Sequence, residues 1–405
     1  MPAFRWYFSA ISVSALGSAM ATLAVTFAVL DLGATAAQLG IVLAAGTVPA
    51  VLLVLVGGIA GDRWDRRSIL IGTDVVQCLT MLALAVLMLS GHAHIWHFLV
   101  GELIGGACMA FIGPTAVGLM PTLVGDDQLQ AANSLRMTSW NVSSIVGPPL
   151  AALLVAAGSP GWALAANAAS YAVSGLLMLR LPRSRGVVRA GATALADLRE
   201  GWTAFTSRRW VVLMVGSFAI YQATVLPAIF VLGPVLSEEH LDGATSWALV
   251  LSARAIGALA AGVVLLGWRP GRPLVTASMM VLLDVPFLLA LAFGAPVVVV
   301  VLTAVISSAG VLGSDTVWES TLQANVPSDV LSRVSSYDWF GSMLINPLGF
   351  ALIGVVAHVA GATEVILVAT ALLVVVRAGL WFSPVIRSIP GRSDTPEAEP
   401  VPESL

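Results

Sequence analysis

Apolar runs of about twenty residues succeed one another along the chain, each closed by a short cluster of glycine, proline or charged residues. The run from Ile41 to Ala60 contains no charge at all. A hydrocarbon core about 30 Å thick is crossed by roughly 20 apolar residues in a helix, so each run predicts a membrane span. Read against their punctuation, the runs predict spans near 7–30, 37–60, 68–90, 97–118, 131–157, 162–181, 209–236, 245–268, 272–293, 296–320, 331–357 and 363–385. Lipid offers no partner to backbone N–H and C=O groups, so the spans must be helices. A barrel would instead show ten-residue segments alternating apolar and polar positions.

The longest polar interruption, Pro182 to Arg209, follows the sixth span. It divides the chain into an expected six-helix bundle over 1–181, a basic linker over 182–209 and a second bundle over 210–388; the Pro-, Glu- and Ser-rich tail 389–405 is expected to be disordered. The halves repeat weakly. Val124, Asp127 and Leu129 before Arg136 match Val326, Asp329 and Leu331 before Arg333, and Gly57 to Arg67 has the spacing of Gly262 to Arg272. Parallel repeats of this kind place a binding site near the midplane between the halves. The expected fold class is all-α integral membrane, with twelve transmembrane helices in two pseudo-symmetric six-helix bundles.

Of 405 residues, 58% are hydrophobic and 10% charged, which calls for lipid as the solvent. Every cationic residue is arginine. With an even span count, Arg5, Arg63, Arg66, Arg67, the cluster from Arg180 to Arg209, Arg269, Arg272, Arg333, Arg387 and Arg392 sort to one side, while all five histidines sort to the other. The positive-inside rule makes the arginine side cytoplasmic, so both termini are expected in the cytoplasm of a bacterial cell bounded by this membrane. Phe4 to Leu30 is too long for a signal-peptide core and is expected to remain as a helix. Cys78 and Cys108 lie in apolar runs and read as small buried hydrophobes. The net charge of −3 argues against nucleic acid. No Gly-x-x-x-x-Gly-Lys-Ser/Thr loop occurs, which leaves no nucleotide site. His92, His94 and His97 have metal-like content but no nearby carboxylate ligand, so neither metal nor other cofactor is expected.

The loop after the second span reads Gly58-Ile-Ala-Gly-Asp62-Arg63-Trp64-Asp65-Arg66-Arg67. Its glycines allow close helix approach, Asp62 can face a helix N-terminus or an arginine, and Arg66 and Arg67 anchor one membrane face. Such a cluster can serve as a simple anchor or as a latch between halves. The segment resembles the cytoplasmic loop motif of the major facilitator superfamily, with Asp65 where that motif often has glycine. This departure is similar to the drug-exporter branch that includes enterobactin and macrolide exporters. Leu30-Asp31-Leu32-Gly33, Asn141-Val-Ser-Ser-Ile-Val-Gly147-Pro148, Ala169-Ser170-Tyr171, Ser332-Arg333-Val334 and Pro347-Leu348-Gly349 carry the same resemblance. It implies alternating access, a gate of Gly58, Asp62, Arg66, Arg67, Arg136 and Arg333, and an antiporter-like bend at Gly147 and Pro148. Read on physics alone, the bend is an ordinary proline kink between packed helices.

Ionisable residues inside spans point to a pathway by default. Glu102, in the fourth span, either exchanges a proton or reaches water at the outer interface. Arg254 and Asp284, at similar depth, either neutralise one another or leave Arg254 to bind an anionic group or to hold Glu102 charged. Asp74 lies within reach of Arg136. Asn141, Tyr221, Gln222, Trp318, Trp339 and Asn346 offer polar and aromatic points among apolar walls suited to a bulky amphipathic ligand. The resemblance thus implies an exporter of small amphipathic compounds such as drugs, working as a monomer against protons. A dedicated siderophore or biosynthetic-product exporter is the alternative; a sensor or membrane enzyme is a remoter one, because no histidine lies near the membrane centre to act as a base.

Overall fold

The computed structural model describes residues 2–125, 128–183, 201–265, 268 and 270–390. Most of the expected linker (184–200), the tail beyond 390, and Asp127 and Arg269 lie outside the described residues, as do the side-chain positions of Gly58, Asp62, Asp329 and Arg333. What is described is helical, without a strand. The helices are α1 (Pro2–Asp31), α2 (Ala36–Arg63), α3 (Arg66–Leu89), α4 (Ile95–Leu123), α5 (Leu129–Ala156), α6 (Pro160–Met178), α7 (Arg209–His240), α8 (Gly243–Leu265), α9 (Pro273–Ala292), α10 (Val297–Asn325), α11 (Ser328–Met343 and Asn346–Ala360) and α12 (Ala362–Phe382).

Among the described residues, eleven helices are long and apolar enough to cross a membrane. The sixth, α6, falls outside that set because Asn167, Ser170, Tyr171 and Ser174 lower its hydropathy. Those groups are buried against α1 and α3, where protein takes the place of lipid.

Local chemistry sets the helix ends. Thr35 caps α2 in a capping box: Gln38 N–H donates to its hydroxyl at 3.3 Å, and the Thr35 N–H donates to Gln38 Oε1 at 2.9 Å. The Asp65 carboxylate accepts from the Ser68 N–H at 3.1 Å to start α3, and Ser159 caps α6 ahead of Pro160. Gly33, at φ 75°, supplies the left-handed residue between α1 and α2. Prolines break the second half. A proline ring clashes with the carbonyl four residues earlier, and Pro227 is followed by a π turn over Ala228–Leu232. Pro286 lies just beyond a 3-10 turn over Val281–Leu283 and Pro347 just beyond the interruption in α11.

Packing divides the molecule by its ends. At the histidine end one continuous core joins the halves, bringing Phe27, Leu39, Phe98 and Leu164 together with Ile229, Trp247, Phe287 and Ile366. At the end that carries the termini the core splits in two, one cluster around Tyr7, Leu70 and Leu119, the other around Trp210, Met214, Leu274 and Leu380. The halves meet where α2 packs on α11 and α5 on α8. Both contacts are close. A Cβ on Gly40 would lie 2.3 Å from the Phe350 carbonyl oxygen, one on Gly354 2.2 Å from that of Ala36, and the Ser252 hydroxyl donates to the Ile145 carbonyl at 2.7 Å. Among the described residues the halves therefore share one core at the histidine end, while each core cluster at the terminal end belongs to a single half.

Candidate functional site

The second half holds a network of buried charge. Asp284 is fully buried and opens the segment of α9 that follows the 3-10 turn, where the helix N-terminus favours a negative charge. The Tyr221 hydroxyl on α7 donates to its Oδ2 at 2.6 Å, and the Ser307 hydroxyl on α10 donates to its Oδ1. Arg254 on α8 donates from Nη1 to Ser307 Oγ at 2.7 Å and stands 3.9 Å from Asp284 Oδ1, with its guanidinium 5.4 Å from the Phe287 ring centre. Four helices are thus tied by one carboxylate. Burying it is tolerable because both oxygens are met and a cation is beside it.

A second cation is also buried. Arg377, in the C-terminal part of α12, has no exposed surface; its Nη1 donates to Ser217 Oγ at 3.1 Å and its guanidinium lies 4.8 Å from the Phe218 ring centre. Its Nε and Nη2 have no hydrogen-bond partner among the described residues. Asp315 on α10 and Asp284 are near enough for their charges to interact with it. Asp315 is exposed, and Arg377 of α12, Asp338 of α11 and Glu319 of its own helix lie within electrostatic range of it. Asp338 accepts from Trp318 Nε1 at 3.0 Å. Neither Arg377 nor Asp315 carries a local sequence motif that would mark it. Charge balance was the available signal: a second half with intramembrane acids at Asp284 and Asp315 calls for more than one cation.

Glu102 and Arg254 are not brought together. Glu102 is half-buried on α4 with its carboxylate against α2, where a Cβ on Gly46 would lie 2.6 Å from Oε2. Asp74 is buried and accepts from the Ser174 hydroxyl on α6 at 2.7 Å, while Arg136 lies within electrostatic range of Tyr7. Of the cavity candidates, Tyr221 and Trp318 are committed as donors to Asp284 and Asp338, and Asn346 donates to the Gln222 carbonyl at 3.4 Å. Asn141 and Gln222 are half-buried and Trp339 is exposed.

On the gate, Arg66 donates to the Gly118 carbonyl and Arg67 to that of Leu179, each at 2.5 Å and each within the first half. Gly58, Asp62 and Arg333 fall among the undescribed side-chain positions. At the bend, α5 continues through Pro148 and Pro149, and Gly147 lets it approach α1, since a Cβ there would lie 2.6 Å from that of Ala19. The loop histidines are locally engaged: His97 Nδ1 accepts from the His94 N–H at 2.9 Å at the start of α4.

Two bundles of apolar helices with polar and charged groups buried inside them are the build of a membrane transporter. The Major Facilitator Superfamily profile matches residues 7–350, and the chain belongs to that family. It is 24% identical to the MFS-type transporter YfiS of Bacillus subtilis, over 90% of this chain and 89% of YfiS. It is 25% identical to the enterobactin exporter EntS of Escherichia coli, over 87% of this chain and 85% of EntS. Macrolide efflux protein A of Streptococcus pyogenes matches at 22% over 57% of this chain and 58% of that protein. Among solved structures, the nucleoside transporter NupG superposes with a TM-score of 0.72 at 17% identity, covering 94% of this chain and 98% of NupG. The D-xylose-proton symporter does so at 0.71 and 13%, covering 95% and 98%. The chain is a multi-pass membrane transporter with efflux-related relatives.

Proposed function

We propose that the chain is a secondary exporter of small amphipathic compounds, driven by protons through the cytoplasmic membrane of a bacterium, with 1–181 and 210–388 rocking as two bodies. The observation that carries this reading is the core of the described residues, which is shared by the halves at the histidine end and divided between them at the terminal end. With the termini in the cytoplasm, by the distribution of arginine, this is the state that loads substrate from the cell interior. Arg66, Arg67 and Arg136, together with Asp62 and Arg333, would act as the latch when that end closes. Gly147 and Pro148 give α5 its close packing and its point of flexure. Among the proton candidates Glu102 leads, because its carboxylate lies between two helices of the first half without the arginine that neutralises Asp284. Asn141, Gln222 and Trp339 remain accessible for substrate.

The test is gradient-driven uptake of amphipathic dyes and antibiotics into inside-out vesicles, wild type against Glu102→Gln. Uptake that needs the pH gradient and is lost in the variant supports the reading; uptake in both moves the proton site away from Glu102. Likeness to an enterobactin exporter over most of the chain favours a second reading, one dedicated substrate. Vesicles that ignore the panel but take up a catecholate siderophore under the same gradient would select it.

A further inference from the structure

Arg377 is a buried cation with incomplete compensation. One guanidinium nitrogen meets a serine, one ring face covers it, and Nε and Nη2 are unmet. A buried charge in this condition destabilises the conformation that contains it, and a carboxylate would remove that cost. Asp284 is already held by Tyr221, Ser307 and Arg254. Asp338 receives the Trp318 indole N–H, and Glu319, one turn along α10, accepts from Gln323 Nε2 at 3.4 Å. Asp315 is different: among the described residues it takes part in no hydrogen bond or ion pair, it is exposed, and its charge interacts with that of Arg377. The charged and titratable groups facing it are Arg377 from α12, Asp338 from α11, Glu319 from its own helix and Tyr221 from α7, with Arg254 and Asp284 deeper in the network.

We propose that Asp315 binds a proton that controls an ion pair with Arg377: the pair is open in the present conformation and closes when the halves seal at the terminal end. While the acid is protonated it has no charge to offer the guanidinium. When the proton leaves to water, the carboxylate can turn toward the guanidinium as the halves close and meet the two unmet nitrogens. The carboxylate then gives up its water, and the ion pair offsets that cost while also relieving the bare buried cation. This rests on the alternating-access reading above and adds a proton site in the second half, distinct from Glu102.

The test reads conformation and needs no substrate. Spin labels at Gln128 and Ala324, exposed at the terminal end of opposite halves, are introduced after replacement of Cys78 and Cys108. Distances are measured in lipid nanodiscs at mildly acidic and mildly alkaline pH. The wild type should gain a shorter distance as pH rises. Asp315→Asn should abolish that gain, Asp315→Glu should retain it, and Arg377→Gln should lower the ratio of short to long distance about tenfold. Should Arg377→Gln not fold, the Asn and Glu variants at the exposed Asp315 decide the matter. Two distances whose ratio ignores these substitutions would overturn the ion pair alone. One distance under all conditions would overturn the pair and the rocking motion together.

Discussion

Gly354 on α11 offers the sharpest perturbation of the joint between the halves. A Cβ there would lie 2.2 Å from the Ala36 carbonyl oxygen, 2.3 Å from its carbonyl carbon and 2.4 Å from Ala37 N. All three are backbone atoms, so no side chain can turn aside. Non-bonded heavy atoms settle roughly 3.5–4.0 Å apart, so Gly354→Ala must push α2 and α11 apart by about an ångström. Overpacking of this kind costs ~1–3 kcal/mol. The cost falls only on the conformation joined at the histidine end, so its population relative to the opposite state should drop about 5- to 150-fold. Spin labels at His92 and Glu239, both exposed at that end, should show a longer distance appearing in the variant. Gly72→Ala, whose Cβ would meet nothing within 4 Å, should leave the distribution unchanged. A folded Gly354→Ala protein with the wild-type distribution would refute the idea that this contact holds the halves together.

Other consequences concern stability in detergent. Asp284→Asn should cost about 3 kcal/mol because it leaves Arg254 without its counter-charge, and the double variant with Arg254→Gln should be more stable than either single one; melting temperatures of the purified proteins decide this. Ser174→Ala removes the donor to Asp74 and should cost about 1–2 kcal/mol, read as a lower melting temperature with the same oligomeric profile. Thr35→Ala dismantles the capping box of α2 and should cost about 1 kcal/mol, seen as faster amide exchange over the first turn of that helix.

The spans were legible because backbone in lipid has few options and each crossing needs a fixed length of apolar chain. The helices begin and end within a few residues of the apolar runs, and the polar composition of α6 is the one place where length and hydropathy parted. Helix orientation was much less legible. In water a buried face is marked by apolar residues at helical spacing, but in lipid both faces are apolar, and the facing of Glu102, Arg254 and Arg377 cannot be read from their neighbours along the chain. Asp284 could be placed near Arg254 by depth alone, whereas Ser307 and Tyr221, which carry the contacts, look like any other hydroxyls. Arg377 was hidden by its surroundings: a single arginine in an otherwise apolar span reads as an end anchor unless the charges of the whole half are balanced. Which ends of the bundles touch depends on contacts such as Gly40 with Phe350 and Gly354 with Ala36, and these link residues some three hundred positions apart in the sequence.

The joint between the halves contains little that is directional. Glycines set against carbonyl groups give area and fit, and the hydroxyl of Ser252 on the Ile145 carbonyl is the cross-half hydrogen bond described. A seam made this way can peel from one end without leaving a row of stranded donors and acceptors in a medium that cannot satisfy them. It behaves as a dry zip: strong when fully engaged, weak at its leading edge, and able to re-form in the same register because only glycine leaves room for the opposing backbone.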